Sequence, residues 1–358
     1  MNISFWLLAL YTIDRLWKTK LIFSFIRSES SLAHWPSVTV LSPVTRGWCH
    51  LVENLESRRV QDYPAPLQHV VMLDRDDLKS QELIPIEERV LVDPDGSGIA
   101  SKPAKLTSGL KNAKGEVLVF VDDDIHLPPN ALRRLVSALE PSETGATFGL
   151  AYAPRRDNTA TRLLSAFING NAAFSYLTLA SLMEPYTITG HIFCIPSDAF
   201  HKIGGLSNME GRLDDDHELA RRLRLKGWSC RQTAVTYELH NRLENWSDYI
   251  EQMRRWFIIP KTTMAPDLSL RERFLSSFVV AGALLPTLLL LTGDLKALFL
   301  FATIHIVTHS LVCQKVYSRP ADDYGFLLLS AFLAPLQVLH AWLFSRREFT
   351  WRGRHWRL

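Results

Sequence analysis

Val117-Leu118-Val119-Phe120-Val121-Asp122-Asp123-Asp124 sets five apolar residues directly against three carboxylates. Behind Lys114-Gly115, an apolar run this short predicts a buried strand of a parallel sheet. In open α/β sheets, ligands bind just beyond the carboxyl ends of such strands. Three acids there cannot be core, because an unpaired buried carboxylate is too costly. They form either a solvated turn or a site for a hard cation with oxygen ligands, Mg²⁺ or Mn²⁺ on a substrate's phosphates.

The same alternation extends to both sides. Strands are expected at 38–41, 68–73, 89–92 and 117–121, with helices at 50–59, 102–114 and 129–139. Such alternation predicts an α/β fold with a doubly wound, mostly parallel sheet. The second strand ends in Asp74-Arg75-Asp76-Asp77, so two acid clusters share one rim. From Ala146 the pattern loosens. Residues 161–183 read as a long, weakly polar helix, either a core helix or a membrane-surface helix walling an acceptor groove. A short strand at 192–195 follows Gly190-His191. Then Leu213-Asp214-Asp215-Asp216-His217-Glu218 leads into a basic helix, a strand at 232–238, and a helix at 246–259 carrying Gln252-Met253-Arg254-Arg255-Trp256.

The 358 residues suffice for one large catalytic domain and something more, and 47% of them are hydrophobic. Much of that excess lies in stretches 274–291, 295–313 and 324–344, each near the length a helix needs to cross a bilayer and without a polar face. At the N-terminus, Asp14, Arg15, Lys18 and Lys20 interrupt an otherwise apolar stretch. An interfacial helix, or a tilted anchor with its charges paired, is expected there rather than a cleaved signal. A net charge of +3 is too small to imply a nucleic-acid partner. The four cysteines have no metal-ligand spacing and read as small hydrophobes. Asn245-Trp246-Ser247 matches a glycosylation acceptor, a pattern common by chance.

Asp74, then Asp122-Asp123-Asp124, then Asp215-Asp216, then Gln252-x-x-Arg255-Trp256 stand in a fixed order. In this order the chain resembles the ceramide glucosyltransferase family, membrane-bound inverting glycosyltransferases with a GT-A nucleotide-sugar-binding domain. The resemblance covers roughly residues 38–358. It includes Lys102, Thr189-Gly190, Lys226-Gly227-Trp228 and the Trp-Arg-rich tail from Phe349. Each motif is weak alone, and the ordered set is specific.

The resemblance implies transfer of a hexose, glucose, from a UDP-sugar to the hydroxyl of a membrane lipid, ceramide, giving a glycosphingolipid. Other acceptors in the same class are a hopanoid or diacylglycerol, and another donor is UDP-GlcNAc. It implies that Asp74 contacts uracil, with Asp76 and Asp77 as solvated companions. Asp122 and Asp124 hold Mg²⁺ or Mn²⁺ on the diphosphate, with Asp123 a solvated spacer and no neutralising cation nearby in sequence. Lys102 reaches the diphosphate or nucleotide, leaving Lys105 solvated. Counting back from Gly227-Trp228 puts the general base on Asp216, with Asp214 and Asp215 as helix caps. Gln252, Arg255 and Trp256 share a helix face. Arg255 suits the diphosphate and Trp256 the sugar or acceptor, the alternative being a purely interfacial helix. His191 and His240 are expected to be structural.

The expected organisation is an anchor or interfacial helix at 1–30, the GT-A domain at 36–245, an interfacial helix at 246–270, membrane helices at 271–345 and a basic tail at 346–358. The lipid bilayer is a partner in this reading. The catalytic domain faces the cytoplasm, at the inner membrane in a bacterium. Two readings from other classes compete: an inactive nucleotide-sugar-binding scaffold, and a transporter-like protein with a regulatory domain. The absence of an acid near the middle of any span speaks against the latter.

Overall fold

The structure is a computed structural model describing residues 2–26, 32, 34–47, 50–96, 98–140, 142–155, 158–209, 214–241, 243–344, 348–351 and 354–357. A first helix, α1 (Ile3–Phe25), precedes the sheet domain. That domain runs β1 (Val38–Pro43), α2 (Leu51–Arg59), β2 (Leu67–Asp74), α3 (Leu78–Glu82), β3 (Arg89–Val92), α4 (Lys102–Leu110), β4 (Val117–Val121), β5 (Ile125–His126) and α5 (Ala131–Ser137). It continues through β6 (Thr144–Tyr152), α6 (Thr159–Ala172), α7 (Thr178–Leu182), β7 (Ile192–Pro196), α8 (Ser197–Lys202), α9 (Asp215–Leu225) and β8 (Ser229–Leu239). Beyond it lie α10 (Trp246–Ile259), α11 (Leu270–Ala281), α12 (Leu285–Leu291), α13 (Leu295–Val312) and α14 (Tyr324–Phe344), then a backbone hairpin of β9 (Glu348–Trp351) and β10 (Arg354–Arg357).

Eight strands form one mixed sheet in the order β3-β2-β1-β4-β7-β6-β8-β5. The first four are parallel, as their apolar runs predict. Val119 and Val121 pack into one buried cluster and Leu118 and Phe120 into another, so β4 is covered on both faces. Then β7 pairs antiparallel to β4, with Val121 opposite Ile192. That reversal brings the entry to β7, Gly190-His191, to the rim where β4 delivers its acids. Strand β6 is absent from the sequence reading. All nine of its residues are buried, and its two glycines interrupt any apolar run or alternation. Residues 161–183 resolve into α6, a π-helical turn at Ala173–Leu177, and α7. Leu163, Leu164 and Ile168 of α6 join the core, which favours the core-helix alternative.

Three helices are long and apolar enough to cross a membrane: Leu270–Leu291, Leu295–Tyr317 and Tyr324–Leu343. Helix α1 is continuous through its charged residues because they are met inside the bundle. Lys18 Nζ reaches Asp14 at 2.9 Å and the Val279 carbonyl at 2.7 Å. Asp14 sits against Gly282, where α11 gives way to a 3₁₀ turn; a Cβ on Gly282 would stand 2.5 Å from Asp14 Oδ2. Arg15 Nε donates to Thr308 Oγ1 at 3.3 Å, and its guanidinium lies over the Phe174 ring. The spans hold no acid near their middles, yet buried His305, Thr308 and His309 make α13 polar on the side facing α1. Helix α14 packs on α6 and α10 through the Arg162–Asp323 pair at 2.6 Å and the Gln337–Tyr249 hydrogen bond. Of the tail arginines, Arg346, Arg347 and Arg352 lie outside the described residues, as does Cys49.

Candidate active site

The acid turn after β4 is supported from below by α2. A helix packed on a sheet ordinarily offers the core an apolar stripe. In α2 the buried stripe is Leu51, Asn54, Leu55 and Arg58, half of it polar. Asn54 Nδ2 donates to the Asp123 carbonyl at 2.8 Å. The Arg58 guanidinium, 1% exposed, donates to the Asp122 carbonyl, to the Ile125 carbonyl at 3.4 Å and to Ser42 Oγ. Burial lowers the pKa of Arg58 to about 10, against the raising effect of the three aspartates, so it stays a cation at neutral pH. Asp123 is therefore no solvated spacer. It is 1% exposed, and its carboxylate accepts the Thr45 backbone N–H. The turn's neutralising cation, absent from its neighbourhood in sequence, comes from 64 positions away.

At the front of the turn, Lys102 opens α4 and places Nζ 2.6 Å from Asp122 Oδ1 and 3.4 Å from the Gly190 carbonyl. Both side chains keep partial exposure, 31% and 22%. Burial works against the charge on Lys102, but the Asp122, Asp215 and Asp216 carboxylates outweigh it and raise its pKa. Lys105, one turn on, is not the solvated lysine. It is buried, 3.0 Å from Asp74 Oδ2 and 2.7 Å from the Val44 carbonyl. Asp74 itself is 1% exposed, its other oxygen taking the Ala100 amide at 2.7 Å. A carboxylate so enclosed braces the rim. Asp77 is likewise buried, accepting from the Ser80 amide as the N-cap of α3, whereas Asp76 is exposed and paired with Arg46.

Opposite Lys102 stands the start of α9. Asp216 Oδ2 accepts the Gly190 amide at 3.1 Å and Oδ1 the His217 amide at 2.7 Å. A Cβ on Gly190 would come within 2.9 Å of Asp216 Oδ2, so the approach requires glycine. Burial, then the neighbouring Asp215 charge, pushes the Asp216 carboxyl up to about 7. Asp215 is raised too, chiefly by burial, with Lys102 opposing and Asp122 adding to the shift. Asp215 thus faces the charged cluster as well as the amides at the start of α9. Asp214 occupies the N-cap position of α9, but its side chain makes no capping hydrogen bond. The Asp122 amide donates to the His191 carbonyl at 3.0 Å, tying the first acid turn to the segment that holds Asp216. His191 Nδ1 lies 2.9 Å from the Tyr237 hydroxyl.

The α10 residues come by a different route. Asn245, of the possible glycosylation site, caps α10 in a box with Asp248. Gln252 is buried and accepts from Arg255 Nη2 at 3.1 Å. Trp256 packs against Phe167 of α6, ring centroids 6.3 Å apart. Lys102, Asp122 and Asp216 are joined through direct contacts and the Gly190 backbone; the described contacts of Gln252 and Trp256 lead to Arg255 and to α6. For a metal, Asp122 and Asp124 offer only carboxylate oxygens at the strand end. That set fits a hard divalent cation that takes one or two carboxylates and completes its shell with phosphates and water. Asp122 retains the partial exposure this needs, whereas Asp124 is buried, 6% exposed.

Asn54, Arg58, Asp215 and Gly190 were not named as site residues from sequence. Asn54 and Arg58 carried a signal, two polar residues at i and i+4 in the stripe that Leu51 and Leu55 define.

Comparison with known proteins follows this geometry. The model for Glycosyl transferase family 21 matches residues 3–358. Among solved structures, the mannosyltransferase PcManGT from Pyrobaculum calidifontis, in complex with GDP-Man and Mn²⁺, is similar, with a TM-score of 0.52 and 17% identity over 94% of this chain and 98% of that one. The likeness is to a GT-A core followed by C-terminal helices. No curated protein matches the sequence.

Proposed function

We propose that this chain, which belongs to glycosyl transferase family 21, is an inverting hexosyltransferase moving glucose from UDP-glucose to the hydroxyl of a membrane lipid, ceramide. The observation that carries the reading is Lys102, clasped by Asp122 on the donor side and facing Asp215 and Asp216 on the other. In this mechanism the Asp216 carboxylate takes the proton of the acceptor hydroxyl as its oxygen bonds to the anomeric carbon. The bond to the UDP oxygen breaks on the opposite face, inverting the centre. Lys102 and Arg255 meet the charge that develops on the departing diphosphate. Trp256, with Gln252 orienting Arg255, lines the sugar and acceptor side. Asp74 serves the nucleotide indirectly, by holding the Ala100 amide and Lys105. Asp122 and Asp124 would hold Mg²⁺ or Mn²⁺, which would supply charge neutralisation to the diphosphate; PcManGT is in complex with GDP-Man and Mn²⁺.

Three apolar helices support a membrane enzyme acting on a lipid alcohol. We place its catalytic domain on the cytoplasmic side, where nucleotide sugars are made. The test is purified full-length protein with UDP-glucose, UDP-GlcNAc and GDP-mannose against ceramide, diacylglycerol and a hopanoid alcohol, read by mass spectrometry. Hexosylceramide from UDP-glucose is the expected product. A product on another lipid or from another donor overturns that part of the reading, and no product from any pair favours the inactive scaffold.

A further inference from the structure

One polar cluster beside the acid turn has no part in this mechanism. Among the described residues, His50, Glu53 and His240 bring one ligand atom each within 4.8 Å of one another. His50 precedes α2 and Glu53 lies in its first turn; His240 directly follows β8, and its amide donates to the Asp124 carbonyl at 2.8 Å. His240 is 3% exposed. Its Nε2 lies 3.2 Å from Glu238 Oε2, and Glu238 is in turn held by Arg319. That leaves Nδ1 buried with no hydrogen-bond partner. A carboxylate on the remote nitrogen is how proteins orient a ligating histidine and set its tautomer. The His126 ring stacks on the His240 ring, centroids 5.7 Å apart, and steadies its plane.

We propose that His50, Glu53 and His240 form a binding site for a borderline transition-metal ion, Zn²⁺ first among them, separate from the oxygen-only pair Asp122 and Asp124. Two imidazoles and one carboxylate are a known zinc donor set with a fourth position left to water, whereas Mg²⁺ prefers oxygen alone. Bond lengths of about 2.0–2.2 Å require the three ligand atoms to close further. His50 and Glu53, with side chains 31% and 58% exposed, are free to do so around the fixed His240. The ion would join the start of α2 to the end of β8. Asn54 and Arg58 of α2 already hold the acid turn from one side and His240 holds it from the other. Occupancy therefore stiffens the turn that presents Asp122 to the donor.

The experiment uses the full-length protein in detergent, stripped with chelator and free of nucleotide sugar. ZnCl₂ is titrated against a chromophoric chelator, and CoCl₂ is followed by its visible spectrum. The expected result is one equivalent of tightly bound Zn²⁺, with Co²⁺ bands of a low-coordinate nitrogen–oxygen site. Asp122→Asn should keep that equivalent. His50→Ala and Glu53→Gln should each lose it, and Glu238→Gln should weaken it by about 10- to 100-fold. Zn²⁺ should raise the melting temperature of the wild type and not of His50→Ala, a variant at a half-buried position that keeps the fold. Retention of the equivalent in His50→Ala, its loss in Asp122→Asn, or no binding by the wild type overturns the proposal. None of these readings depends on turnover.

Discussion

At 122–124 three aspartates close a strand; at 214–216 three aspartates open a helix. In the first run the buried charge is met from several directions. Arg58 lies beneath, the Thr45 amide reaches Asp123, and Lys102 stands before Asp122. In the second run, Asp215 and Asp216 crowd one another, and Lys102 is the shared cation that lowers the pKa of both. Burial and mutual repulsion then push Asp216 up to about 7. The first run is suited to hold cationic partners and the second to accept a proton. Identical side chains differ in proton affinity because their neighbours differ, and the proposed mechanism uses that difference.

The comparison breaks most decisively at Asp216. Asp216→Asn keeps the size and one of the two amide contacts but removes the proton acceptor, so turnover should fall by about 10²–10⁴. UDP binding, measured by calorimetry, should stay unchanged. The stability effect has a definite sign. A carboxyl whose folded pKa is raised contributes stability fully present below its unfolded pKa and lost as pH rises through the folded value near 7. The asparagine variant loses one backbone acceptor at every pH, so the test is the trend: its melting temperature relative to the wild type should rise as pH goes from about 4 through about 7, and a difference that does not change with pH would make Asp216 structural. If Asp215→Asn abolishes turnover and Asp216→Asn does not, the base is one residue earlier.

Lys102 is the group both runs share, and Lys102→Met should cost about 10²–10³ in turnover, the scale of removing one preorganised donor to a developing anion. Its loss should also raise the pKa of Asp216 further. Near-normal turnover would separate the two runs and dismantle the site. Gly190→Ala tests the link more gently. The new Cβ displaces the Asp216 carboxylate, and a displacement of this kind can cost up to about 10² in rate. Rescue by no other change and an unaltered melting curve would keep the effect local. The smallest effect is the pH profile. The acidic limb of turnover should fall as pH drops through about 7, and in Lys102→Arg, which keeps the cation, the limb should stay near that position.

The parallel half of the sheet was legible because apolar runs bounded by turn residues have one reading when both faces are covered. Strands β1 to β4 fall where expected, with α4 ending early at Leu110. Strand β6 was not legible, since a fully buried strand with glycines shows neither period nor run. Helix α1 was read as an interfacial helix or a tilted anchor with its charges paired; the sequence records Asp14 and Lys18, and only the fold supplies the Val279 carbonyl and Gly282 beside them. The same limit governs the site.

What the sequence determined by itself was the order of acids, the α10 motif and three stretches long and apolar enough to span a membrane; the enzyme class followed from the family resemblance that this order carries. Those are properties of residue type and local spacing. Which charges are buried, paired or poised was decided only by tertiary structure. Arg58 meets Asp122 across 64 positions, Asp74 and Lys105 meet across 31, and Gly190 and Asp216 across 26. A carboxylate's proton affinity depends on the dielectric and charges within a few ångströms, and those neighbours are supplied by the fold.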